Sequence, residues 1–236
     1  LIGYPLSHSF SQKYFTEKFR NLGLSDCGFR NFELKDISGF PGLLEEQKEL
    51  VGLSVTIPHK ESILPHLHNL DDTARAIGAV NCIDCRTRTG YNTDAWGFRQ
   101  AIRPFLAAHH YKALILGTGG ASKAVAWALK EIGIEYRFVS HSGKTGALRY
   151  EDLNAVAMQA FPFIINTTPL GMLPDVESCP SLPYEHLTPQ HFLFDLVYNP
   201  AETLFLKKGK EKHALCQNGL TMLQQQAEKA WEIWNT

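Results

Sequence analysis

The stretch from Ala113 to Gly133 constrains the fold most. It opens with the unbroken apolar run ALIL (Ala113 to Leu116), passes through GTGGAS (Gly117 to Ser122), and continues with apolar residues at Val125, Ala128, Leu129 and Ile132 until Gly133. That order specifies a fully buried strand, a tight turn and an amphipathic helix closed by a glycine. Gly117 permits the turn, and Gly119 lets backbone come close to a pyrophosphate. The helix start supplies unpaired N–H groups and the positive end of a dipole. Ser122 stands at the third glycine position of a GxGxxG pattern. Alone, such a turn also suits an ordinary βα connection. Between this strand and this helix it is read as a dinucleotide site, with Gly117, Gly119, Gly120, Ala121 and Ser122 around the phosphates.

The rest of the chain alternates in the same manner. A strand ending near Gly3 leads to a helix from about Gln12 to Leu22. A strand at Phe29 to Leu34, a short helix near Leu43, a strand at Val51 to Ile57, helical segments to Ile77 and the strand AVNCIDC follow. Beyond a helix at about Ala95 to Ala107, the glycine-turn unit is succeeded by the strand-like runs YRFVS, FIIN and FLFDLV. Alternating strands and helices imply an α/β protein with parallel sheets. The last helix, about Thr221 to Trp234, is amphipathic and can fold back on the first half.

Composition removes several classes of function. The 236 residues carry 23 Lys plus Arg against 24 Asp plus Glu, a net charge of -1, so no basic field exists to grip nucleic acid. No apolar run approaches the roughly 20 residues of a membrane helix, and no charged-then-apolar leader is present at the start, so a cytoplasmic protein is expected. The first residue, Leu1, reads as the end of a strand, so a few residues are expected to precede it. The five cysteines are spread out and expected to be reduced thiols. Cys82 and Cys85 form a lone CxxC inside a strand that runs into a hairpin, and the histidines show no ligand spacing; no metal is expected.

Further short motifs surround the glycine turn: HSFS (His8 to Ser11), SVTIPHK (Ser54 to Lys60), GAVN (Gly78 to Asn81), YNTDAWG (Tyr91 to Gly97), NTTPLGM (Asn166 to Met172), DLVYNP (Asp195 to Pro200) and NGLTMLQQQA (Asn218 to Ala227). In order and spacing the set resembles the shikimate dehydrogenase family over nearly the whole chain. The resemblance implies a substrate domain built from both chain ends, here 1–94 and 219–236, and a Rossmann-like NADP-binding domain over 95–218. It also implies reversible NADPH-dependent reduction of 3-dehydroshikimate to shikimate, in aromatic amino-acid biosynthesis, by a monomer or homodimer.

Residue roles follow from the same resemblance. Ser9 and Ser11 match the serine pair that holds the substrate carboxylate, where hydroxyls at a helix start suit an anion. Lys60 and Asp94 match the catalytic pair. Charge develops on the carbonyl oxygen as hydride reaches its carbon, and a neighbouring ammonium stabilises that charge and supplies a proton. Lys60 follows Pro58 at what reads as a helix start, an unfavourable place for a cation. Ser54, Thr56, Asn81, Tyr198 and Gln226 match substrate contacts; Ser54 replaces the more usual Asn and is shorter, with one donor. Thr167, Pro169, Leu170, Met172 and Gly219 are expected on the cofactor side.

About 20 residues beyond Gly117, where NAD-specific sites place an acidic residue, the sequence reads VSHSGK (Val139 to Lys144) without a carboxylate. Ser140, His141, Ser142 and Lys144 would meet a 2′-phosphate, which predicts NADP preference. His141 stands where the family usually has an arginine able to bind phosphate bidentately. Two other readings remain at this point: a quinate/shikimate dehydrogenase using both cofactors, and a non-catalytic metabolite sensor, against which the presence of both Lys60 and Asp94 argues.

Overall fold

Residues 1–6, 10–141 and 146–236 are described by the computed structural model, and they divide into two units, Leu1–Thr93 with Ala227–Thr236, and Asp94–Gln226. The first unit contains β1 (Ile2–Gly3), α1 (Phe10–Asn21), β2 (Phe32–Glu33), α2 (Phe40–Glu46), β3 (Gly52–Ser54), β4 (Asn69–Leu70), α3 (Asp72–Ile77), β5 (Cys82–Asp84) and β6 (Thr89–Tyr91). β1 pairs parallel with β2 and meets the sheet β3-β5-β6-β4 through the bridge Ile2 to Val55.

This sheet is mixed, not parallel as the alternation of elements predicts: β5 is antiparallel to both β3 and β6. The cause is the expected hairpin, since strands joined by a short turn must run in opposite directions. Two apolar clusters support the unit. Ile2, Phe40, Leu53, Val55, Ile63, Val80 and Ile83 fill one. Phe15, Phe19, Cys82, Ala227, Ala230 and Trp234 fill the other, which ties the chain's final turns into this unit. Trp234 Nε1 donates to Ile83 O at 3.0 Å, and its ring occupies the space beside Gly52, where an added Cβ would come within 2.2 Å. Each such fully buried large side chain contributes about 1.5–3 kcal/mol.

The second unit contains α4 (Asp94–Ile102), β7 (Lys112–Leu116), α5 (Gly120–Glu131), β8 (Glu135–Val139), α6 (Ala155–Ala160), β9 (Phe163–Asn166), β10 (Phe192–Asp195), α7 (Leu204–Glu211), β11 (Leu215–Gln217) and the first turns of α8 (Leu220–Trp234). Its five strands are all parallel, in the order β8-β7-β9-β10-β11. Winding reverses between β7 and β9, and ligands of such sheets bind beyond the carboxyl ends of the strands at that reversal. α4 ends at Ile102, short of the expected Ala107, because Pro104 cannot continue it and a 3₁₀ turn follows at Arg103–Phe105. Outside β8 the described residues supply only the bridge Val139 to Leu148, held by Ser140 N to Leu148 O (3.0 Å) and Leu148 N to Phe138 O (2.8 Å). No helix among the described residues is long and apolar enough to cross a membrane.

Candidate functional site

The glycine turn takes the form its sequence demands. Gly117 has φ +107°, a conformation that side chains resist, and its N–H donates to Val139 O at 2.9 Å. An added Cβ would also come within 2.8 Å of Thr167 Oγ1. Gly119 caps α5, and a Cβ built on it meets nothing within 4 Å. The Cβ side of Gly119 is therefore open at the start of a 12-residue helix, and a helix start with its first-turn N–H groups is where a diphosphate fits. Gly120, Ala121 and Ser122 form the first turn of α5. The Ser122 hydroxyl is buried and donates back to Gly119 O at 2.6 Å, so only its N–H could serve a phosphate.

The loops after β9, β10 and β11 interlock beside this turn. Thr167 donates to Leu116 O through both its N–H (3.0 Å) and its hydroxyl (2.6 Å), which fastens the NTTPLGM segment to the end of β7. Met172 N donates to Pro169 O at 3.1 Å in the turn that carries Pro169 and Leu170, and the Met172 side chain is exposed. Asn166 and Asp195, the last residues of β9 and β10, are fully buried and joined at 3.0 Å. Gly219 N donates to Val197 O at 3.2 Å, and a Cβ there would lie 2.2 Å from Leu196 O. Tyr198 is half-buried in the same loop, and burial raises its phenol above the ordinary value.

On the other side of Gly219, α8 approaches α4 closely. A Cβ on Gly97 would lie 2.6 Å from Met222 O and 3.0 Å from Gln226 N. Asp94, buried at the head of α4, is one turn from Gly97 on the same face, so the second unit brings Asp94 and Gln226 into one neighbourhood. Gln226 Nε2 donates to Leu223 O at 2.9 Å.

The first unit gathers four of the expected residues at one end of its sheet. Ser54 is opposite Cys82 in the β3/β5 ladder, Val55 N donates to Asn81 O at 2.8 Å, and Thr56 N donates to Ile2 O at 2.9 Å. Lys60 O accepts from Val80 N at 2.7 Å, which brings the SVTIPHK and GAVN motifs together. Asn81 is buried and clamps Thr93, accepting from its N–H at 2.6 Å and donating to its hydroxyl at 2.9 Å. It thus fixes the residue before Asp94.

Lys60 departs from expectation. It lies in a run of turns leading to a 3₁₀ segment at Leu64–His66, not at an α-helix start, so the helix-dipole argument does not apply. The buried His59 anchors this turn through Nε2 on Leu34 O at 2.6 Å. Ser11 lies inside the first turn of α1, one residue after its start, so it is not a cap preceding the helix. Ser9, Ser142 and Lys144 fall outside the described residues.

The adenosine-side residues are differently placed. Ser140 is buried, and among the described residues its Oγ has no hydrogen-bond partner. His141 is exposed, and its ring lies on that of Tyr150, with centroids 4.5 Å apart. Sequence reasoning passed over Tyr150, and it gave no role to Asn166, Asp195 or Thr203. A signal existed for Asn166 and Asp195, which end the apolar runs FIIN and FLFD, where a buried polar residue must find partners.

Three kinds of resemblance to known proteins bear on this geometry. Residues 1–83 match the family described as shikimate dehydrogenase substrate binding domain. A shikimate dehydrogenase (NADP(+)) of Methanococcus aeolicus is 36% identical, covering 99% of this chain and 90% of the relative. Shikimate 5-dehydrogenase from Thermus thermophilus, solved in complex with NADP(H) and shikimate, superposes with a TM-score of 0.87 at 31% identity, covering 99% of this chain and 91% of that one. The Listeria monocytogenes shikimate 5-dehydrogenase, solved with shikimate and NAD, gives a TM-score of 0.84 at 28% identity over 99% and 90% of the two chains.

Proposed function

This chain belongs to the shikimate dehydrogenase family, and from that membership we propose that it catalyses the reversible NADPH-dependent reduction of 3-dehydroshikimate to shikimate. The observation that carries the reading is the gathering of Ser54, Thr56, Lys60 and Asn81 at one sheet end, in a chain that also holds an open glycine cradle at the start of α5. A compact set of hydroxyl, amide and ammonium groups is what a small polyhydroxylated acid requires.

The bound nicotinamide supplies or accepts the hydride. The chain's own residues do the rest. Backbone N–H groups from Gly119 to Ser122 hold the diphosphate, and the Thr167 to Met172 and Gly219 loops border the nicotinamide. Ser9 and Ser11 bind the substrate carboxylate, and Ser54, Thr56, Tyr198 and Gln226 its hydroxyls. Asn81 supports the set by holding Thr93, so that Asp94 follows from a fixed point. As the carbonyl carbon gains hydride, Lys60 gives a proton to its oxygen and Asp94 hydrogen-bonds the adjoining hydroxyl and orients the lysine; the reverse reaction returns the proton to Lys60. Ser140 and His141 face the adenosine ribose. The five free cysteines suit a reducing compartment such as the cytoplasm, and the assembly proposed is a monomer or homodimer acting on a small molecule.

Two observations favour a second reading. With His141 in place of an arginine and Ser140 Oγ unpartnered, the adenosine edge carries weaker phosphate selection, as a quinate/shikimate dehydrogenase using both cofactors would need. Absorbance at the reduced-nicotinamide band, with shikimate and quinate each offered alongside NADP and NAD, separates the readings. Fastest turnover is expected with shikimate and NADP; comparable rates across the grid favour the second reading, and no turnover means a binding protein. Lys60→Ala is expected to lower turnover roughly 10²- to 10⁴-fold while shikimate affinity by calorimetry changes little. Near-normal turnover in that variant removes Lys60 from the chemistry.

A further inference from the structure

Asp195 is a buried carboxylate to which the proposed mechanism assigns nothing. It is 0% exposed and ends β10 inside the DLVYNP motif. Oδ1 accepts from Asn166 Nδ2 and from Val197 N, each at 3.0 Å, and Oδ2 accepts from Thr203 Oγ1 at 2.5 Å. Each donor belongs to a different segment. Asn166 closes β9, and its own Oδ1 accepts from Thr168 N (3.1 Å) and Thr168 Oγ1 (2.6 Å), shaping the loop that runs on to Met172. Val197 precedes Tyr198. Thr203 caps α7 and touches Gly171, whose φ is +87°.

Stability alone does not account for this choice of residue. Burial pushes the Asp195 carboxyl up to about 6, against the pull of the bonds from Thr203, Val197 and Asn166. An apolar side chain of similar size would avoid the cost of a buried charge. What it could not do is accept three hydrogen bonds from three segments at once. The backbone downstream is then clamped from the other side, because Val197 O accepts from Gly219 N and Leu196 O leaves no room for a Cβ on Gly219.

We propose that Asp195 is a positioning residue that, by holding Asn166, Val197 N and Thr203 together, sets the place of Tyr198 against the substrate. This rests on the role given to Tyr198 above. The test is a double-mutant cycle with Asp195→Asn and Tyr198→Phe, reading shikimate KM, kcat and calorimetric shikimate affinity. Asp195→Asn keeps the shape and replaces an acceptor by an amide that cannot satisfy all three donors. Each single variant is expected to raise shikimate KM roughly 3- to 10-fold, the size of one or two lost hydrogen bonds, with kcat less affected. The double variant is expected to match Tyr198→Phe alone. Additive effects overturn the proposal while leaving Tyr198 a substrate contact. An unchanged KM in Tyr198→Phe overturns the Tyr198 assignment and this proposal with it. Should Asp195→Asn fail to fold, Thr203→Val removes one anchor and enters the same cycle, with Thr203→Ser expected to keep the wild-type KM.

Discussion

Two corners of the second unit's sheet are built by opposite rules. After β9, β10 and β11 the loops interlock: Asn166, Asp195 and Thr203 satisfy one another, and a Cβ on Gly219 has no space. After β8 the described residues are joined by fewer contacts. Among the described residues one bridge joins this edge to Leu148, Ser140 Oγ is buried without a partner, and His141 rests on Tyr150 while exposed to solvent. In the function proposed above, the first corner serves the nicotinamide end, where sub-ångström placement governs rate. In the same proposal the second serves the adenosine end, where only affinity and selectivity are at stake. A side chain can be exchanged there without disturbing a network.

If that contrast is right, the largest effect should come from the locked corner's charge. The carboxyl of Asp195 is raised from 3.8 to about 6 in the folded protein, so its contribution to stability is fully present below about pH 4 and is lost as pH rises through about 6. Asp195→Asn removes that titration. Between about pH 4 and pH 7 the variant's unfolding free energy should therefore shift in its favour relative to wild type by an amount on the order of 3 kcal/mol, measured by urea denaturation. A constant gap across that interval would show that the carboxylate is not buried in the way described.

Next in size is Gly219→Ala. The added carbon would lie 2.2 Å from Leu196 O and 2.7 Å from Leu196 C, both backbone, so the loop carrying Tyr198 must move. A cost of about 1–3 kcal/mol in stability is expected, together with a raised shikimate KM. Gly119→Ala, by contrast, meets nothing in the free protein and should leave stability within about 1 kcal/mol while weakening NADP binding. Equal melting behaviour of the two variants would erase the difference between crowded and open glycines.

Much of this was legible beforehand for physical reasons. The glycine turn, β7, the helix ending at Gly133 and the β5/β6 hairpin each carry a local signal that needs no distant partner. α7 does not. Its sequence LFLKKGKE holds a glycine at Gly209, which local propensity disfavours, and the helix stands because that glycine lets it close on Leu193 and Cys216. The three-residue β11 is likewise made by pairing with β10. Among candidate site residues, motif spacing named both exposed ones such as Met172 and buried ones such as Asn81 and Asp94. It passed over Asp195 and Thr203, because their importance lies in mutual contact across the chain. The expected dipole at Lys60 failed because a single proline and polar turn suggested a helix that no apolar periodicity sustains.

At the loose corner the expected effects are smaller and concern selectivity. His141→Arg should raise the ratio of kcat/KM for NADP over NAD by about tenfold, since a guanidinium grips a phosphate with two hydrogen bonds where an imidazole offers one. His141→Ala should lower it. Calorimetry with adenosine 2′,5′-bisphosphate reads the same change without turnover. A ratio indifferent to both substitutions would remove His141 from cofactor selection.

The smallest effect, and the sharpest contrast with Asp195, is expected from Ser140→Ala. Removing a buried hydroxyl ordinarily costs about 1 kcal/mol because its partners lose a bond. Here the Oγ has none among the described residues, so the variant is expected to lose no hydrogen bond and to shed a group whose burial is unfavourable. Unfolding free energy should stay within about 0.5 kcal/mol of wild type or rise. Stability alone then gives the hydroxyl no purpose at this position. Under the proposed function its purpose lies in its place directly after β8, where a dinucleotide's ribose is bound in sheets of this kind. Ser140→Ala should accordingly weaken adenosine 2′,5′-bisphosphate binding by roughly 3- to 10-fold, the value of one hydrogen bond regained on binding. A variant that loses stability but keeps its affinity would mean that the hydroxyl has a structural partner after all, and the two corners would then be less different than their geometry makes them.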